Sequence, residues 1–102
     1  MNEYSSLAYT YEDQGDFVTS AYFYNKVIEL ARASKHKQFE VVAMVGLGKC
    51  FDQEHRTDQA IEILEGSLQT ADEIDNEPER LNMTKTISKD LIDIYMKVAE
   101  QH

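Results

Sequence analysis

Cys50 and His55 are the residues most suggestive of chemistry, because an imidazole beside a thiol can activate it as a nucleophile. They stand five positions apart, so on one continuous helix they point in different directions, and a turn is expected at His55. The pair therefore reads as a small apolar core residue and a turn histidine. His36, His55 and His102, with one cysteine, show no metal-ligand spacing, so neither metal nor cofactor is expected. The acidic pairs Glu12/Asp13 and Asp72/Glu73 read as solvated helix faces rather than a general acid and base. Asn82-Met83-Thr84 matches a glycosylation acceptor, but within a helix and without a secretory signal it reads as a chance match. No catalytic constellation emerges, and no enzyme is expected.

The elements that carry these residues follow from composition. Of 102 residues 42% are hydrophobic and 28% charged, which suits one small globular domain. Four Gly and a single Pro favour long helices joined by short turns, and no stretch alternates as a strand does. Ten Lys plus Arg against nineteen Asp plus Glu give a formal charge of -9. That balance repels phosphate backbones and anionic lipid, so neither nucleic acid nor a membrane is an expected partner. One cysteine allows no internal disulfide and fits a reducing compartment. No apolar run approaches the ~18 residues of a membrane helix. A cytoplasmic location is the expectation, and a nuclear one is equally compatible.

Internal periodicity organises the chain. At an offset of forty residues Tyr4 matches Met44, Leu7 matches Leu47, Ala8 matches Gly48 and Tyr11 matches Phe51. Ser20 then matches Ala60, Tyr24 Leu64, Ile28 Leu68 and Ala31 Ala71. Large positions meet large and small meet small, the mark of a repeated unit. Each unit reads as two helices. Tyr4, Leu7, Ala8 and Tyr11 share one face at spacings of three and four. Gly15 can close that helix in the left-handed conformation, and Asp16 can cap the next. Phe17, Ala21, Tyr24, Val27, Ile28 and Ala31 form the second buried stripe.

In the second unit Thr57 is the expected cap, and His55 stands where the first unit has glycine. Ala60, Ile61, Leu64, Leu68 and Ala71 are the stripe that follows. Gly48 is expected at a close helix crossing, whereas Gly46 faces elsewhere and has no such explanation. After Asn76-Glu77-Pro78, one long helix is expected over roughly 78–101, buried along Thr84, Ile87, Leu91, Ile94 and Val98. Ile92, Tyr95 and Ala99 widen its apolar face. Repeat units accordingly run 1–36 and 37–76, with a closing or next-repeat helix at 77–102.

The run Tyr4-x-x-Leu7-Ala8-x-x-Tyr11, Gly15-Asp16-Phe17, Ser20, Tyr24, Val27 resembles the tetratricopeptide repeat signature, and Met44-x-x-Leu47-Gly48-x-x-Phe51, Ala60, Leu64, Ser67 resembles it again. The forty-residue spacing exceeds the usual ~34, as in the repeats of kinesin light chains, cell-polarity scaffolds and some axonemal dynein-associated proteins. Where the first two of those families carry groove asparagines this chain has Ser6, Tyr9, Gly46 and Lys49. Where cochaperones carry a carboxylate clamp it has Ser5 and Tyr9.

The resemblance implies an all-α, right-handed helical-repeat superhelix that acts as a scaffold or adaptor for a peptide or protein. It further implies a concave groove lined by the first helix of each unit. The implied contacts are Asn2, Ser5, Ser6, Tyr9, Val42, Val45, Lys49, Asn82, Lys85 and Lys89. Three lysines on one wall imply a ligand with an acidic segment. The alternative is an assembly module that self-associates or packs within a larger complex. Met1 lies three residues before Tyr4 and His102 falls within the last helix, so a fragment of a longer solenoid, or a homodimer through the terminal helices, is also expected.

Overall fold

The computed structural model describes the backbone of residues 2–101 and the side chains of residues 3–101. Its elements are α1 (Asn2–Asp13), α2 (Phe17–Ser34), α3 (Lys37–Gln53), α4 (Thr57–Ala71) and α5 (Glu77–Gln101), with no strand among the described residues. Each helix packs chiefly on the next in sequence, and α3 also touches α5. The result is a thin body, 42 × 30 × 18 Å, in which α3 is the middle helix.

Three turns are closed in the same way. Asp16 N–H donates to Tyr11 O at 2.9 Å and Gly15 N–H to Glu12 O at 3.0 Å. His36 N–H donates to Ala31 O at 2.9 Å, and Arg56 N–H to Phe51 O at 2.8 Å. These are Schellman closures, which require a left-handed residue just before the last donor. Gly15 (φ 81°), Lys35 (φ 60°) and His55 (φ 63°) occupy that position, so His55 adopts the conformation its glycine counterpart has. Asp16 then caps α2, its carboxylate accepting from Thr19 N–H at 3.2 Å. Thr57, the expected cap of α4, is instead that helix's first residue, and the cap position belongs to Arg56, which makes no side-chain cap bond. The closure onto Phe51 fixes residue 56 as the last one outside the helix. Asn76 caps α5 by accepting from Glu79 N–H at 3.0 Å, which leaves Pro78 in the first turn.

Two cores flank α3. On one side Ala8, Tyr24, Val27 and Ile28 meet Ala43, Met44, Leu47 and Cys50. On the other, Val41 joins Ala60, Leu64, Ala71, Ile87, Leu91 and Ile94. Gly48 sits where expected, since a Cβ there would lie 2.9 Å from Leu64 Cγ. Gly46 also proves to be a close approach, against expectation. The Tyr24 ring lies over its backbone, and a Cβ there would overlap that ring. Ser20 fills its crossing by donating to Ala8 O at 2.7 Å. Phe23 stacks between Tyr4 and Tyr11 at 6.1 and 5.8 Å, which ties α1 to α2.

Not every expected stripe is buried. Tyr4 and Leu7 remain over a third exposed, since only α2 covers α1 on that side. Ile92, Tyr95 and Ala99 face solvent, so the buried face of α5 is the narrower Ile87, Leu91 and Ile94.

Candidate functional site

The helix order brings α1 and α5 to either side of α3, and a groove runs between them. One cavity of about 350 Å³ is lined by Tyr9, Glu12 and Asp13 of α1, Val42, Val45 and Lys49 of α3, and Asn82, Met83 and Thr86 of α5. A second, of about 500 Å³, adjoins it through Tyr9, Tyr24, Val42 and Met83, and adds Ser5, Ser6, Gln38, Phe39 and Glu79. A third, of about 110 Å³, continues past Lys49 between α3 and α5, lined by Asp52, Asp90, Asp93 and Lys97.

The floor is built by the substitution of nothing for a side chain. Because Gly46 has no Cβ, the Tyr24 ring of α2 reaches over α3 into the groove. Its hydroxyl donates to Glu12 Oε1 at 2.5 Å, and Tyr9 meets its ring edge-on at 6.0 Å. Burial first, and donation to Glu12 second, push the Tyr24 phenol well above its ordinary range. It therefore stays a neutral donor that orients Glu12. Tyr9 and Val42 are about half exposed and form the apolar surface a ligand would meet.

Of the residues expected in the groove, Ser5, Ser6, Tyr9, Val42, Val45, Lys49 and Asn82 line it. Lys85 and Lys89 are exposed but line none of these cavities. One residue is 100° of helix rotation, and the groove side of α5 runs through Met83, Thr86 and Asp90, each one residue from a lysine or more. The expected wall of three lysines does not form. The side chain of Asn2 and the whole of His102 lie outside the described residues.

What sequence reasoning missed is acidic. Glu12, Asp13 and Glu79 line the two larger cavities, where Lys49 is the one basic side chain among the described residues. Glu12 and Asp13 follow Tyr9 at spacings of three and four, so the signal was present in α1. Glu79 accepts from Gln38 Nε2 at 3.1 Å, bridging α5 to α3. Farther along, Lys97 pairs with Asp52 at 3.0 Å, while one carboxylate oxygen of Asp90 is out of solvent with no hydrogen-bond partner.

Cys50 lies elsewhere. Its thiol is wholly buried and donates to Ser20 Oγ at 3.5 Å, and burial pushes its pKa up despite that bond. A buried, protonated thiol is a poor nucleophile, and His55 stands exposed on the turn. No helix among the described residues is long and apolar enough to cross a membrane. Among the described residues no three His, Cys, Asp or Glu side chains gather as a metal site would need. Compared with models of known families, with curated proteins and with solved structures, the chain matches none.

Proposed function

We propose that this chain is a protein-interaction module whose groove receives a segment of a partner protein. The observation that supports this is the continuous concavity over α3, walled by α1 and α5, with half-exposed Tyr9 and Val42 on an otherwise packed floor. Clefts with an apolar floor and a few polar groups at the rim are where ligands gather. The helix-pair repeat and its resemblance to tetratricopeptide units support the same reading, as a right-handed superhelix that presents its first helices to a ligand. A display selection from a random peptide library tests it. Selected peptides should bind the wild type and lose binding to Tyr9→Ser/Val42→Ser, whose helical circular dichroism should match the wild type at the assay temperature even though Tyr9 also packs on the Tyr24 ring. Equal binding to that variant would remove the groove from the function.

A second reading, assembly through α5, is favoured by a different observation. Leu81, Ile92 and Met96 are each more than half exposed at spacings near whole helical turns, an apolar stripe away from the groove. Sedimentation over a range of concentrations distinguishes the readings. Association abolished by Ile92→Glu supports assembly, and a monomer throughout removes it.

A further inference from the structure

We infer that the groove selects a cationic segment, an apolar or aromatic anchor flanked by Arg or Lys; this rests on the groove being the binding site. Net charge alone would not establish it, because charge spread over a surface is screened within ~8 Å at physiological salt. What matters is which side chains line the cleft. Glu12 and Asp13 line the 350 Å³ cavity from the last turn of α1, Glu79 lines the 500 Å³ cavity from α5, and Asp90 and Asp93 line the narrower continuation. Against them stand Lys49 and Lys97, and Lys97 is already paired with Asp52. Lys85 and Lys89, which would have narrowed the imbalance, line none of these cavities. Carboxylates in a cleft with an apolar floor focus their field on whatever enters.

Asp90 gives the preference a chemical direction. One of its oxygens is closed to water and has no donor, so a rotation of the side chain that turned it into the cavity would let a ligand N–H satisfy it. The cavity it lines has a volume of about 110 Å³, well above the ~10–15 Å³ that one water needs, so it has room for more than a single water. A guanidinium is less strongly hydrated than an ammonium and presents its donors in a fork that matches a carboxylate. Arginine is therefore favoured over lysine at that end. Tyr9 and Val42, which line both larger cavities, take the anchor. Lys49 sits at the junction of the 350 Å³ and 110 Å³ cavities and opposes the ligand.

The sign of the Lys49 effect makes the test decisive. Synthetic peptides carrying the anchor found by display, flanked by Arg, Lys, Gln or Glu, are titrated by fluorescence anisotropy against the full chain. Affinity should fall in that order and weaken with added salt. Lys49→Glu, an exposed change, should tighten the Arg peptide several-fold. Asp13→Asn/Asp90→Asn should weaken it about tenfold, the scale of two modest charge contacts. Tighter binding of the Glu peptide, or weaker binding of the Arg peptide to Lys49→Glu, overturns the cationic preference and leaves the groove reading intact, as does equal binding of all four peptides. Failure of display to yield any peptide dependent on Tyr9 and Val42 overturns both.

Discussion

Single residues set the shape of the groove through what they leave out. Gly46 and Gly48 stand two apart on α3 and face different neighbours, Tyr24 on one side and Leu64 on the other. A methyl at Gly46 would force a buried ring that is also hydrogen-bonded to Glu12. Overpacking costs ~1–3 kcal/mol and removing a helix glycine returns ~1 kcal/mol, so Gly46→Ala should destabilise on balance. Gly48→Leu should cost at least ~1–3 kcal/mol, whereas Leu at exposed Gln53 should be within ~0.5 kcal/mol of neutral. Chemical-denaturation midpoints for the three variants check this, and a wild-type midpoint for Gly48→Leu would contradict the crossing. Tyr24 adds a pH signature. Its phenol is raised in the fold, so its neutral form contributes stability below the unfolded value of ~10 that is lost as pH climbs above it. Between about pH 8 and pH 11 the urea midpoint of wild type should drop more steeply than that of Tyr24→Phe.

At the level of elements, the three Schellman turns repeat one geometry with unequal sequence support. Gly15 takes its left-handed conformation freely, while Lys35 and His55 hold it against a side-chain penalty of ~1–2 kcal/mol. Glycine's own entropic cost is ~0.5–1 kcal/mol. Lys35→Gly and His55→Gly should therefore each stabilise by ~0.5–1 kcal/mol, read as a higher melting temperature. The caps show the same inequality. Asp16 and Arg56 have similar backbones, φ/ψ of -89°/79° and -95°/65°, yet only Asp16 accepts a bond from its helix. Arg56→Ser should gain ~0.5–1 kcal/mol by supplying that acceptor, and Asp16→Ala should lose about as much. No gain at Arg56 would mean that water already satisfies the first turn of α4.

On the scale of the molecule, neighbours in sequence are neighbours in space, so stability passes along the chain from helix to helix. α3 packs against α2, α4 and α5 and is the most buried of the helices, so its amides from Met44 to Cys50 should exchange slowest in native-state hydrogen exchange, with α1 and the last turns of α5 fastest. Uniform protection across the five helices would argue for a single cooperative core instead. Much of this architecture was legible locally. Apolar spacing of three and four marked the five helices, the offset of forty placed His55 opposite Gly15, and Gly48 announced a close crossing. These depend on backbone preferences and on periods that each segment carries by itself. Gly46 was not legible, because its reason is a ring from another helix. Nor was the charge of the groove. The rotation of α5 about its axis is set by how Ile87, Leu91 and Ile94 seat against α4, and one residue of error turns a side chain by 100°. Sequence alone thus determined which segments are helices and which of their positions are apolar. Tertiary packing decided that Glu12, Asp13 and Asp90 line the cleft while Lys85 and Lys89 do not, because that depends on distances between helices that no single helix encodes.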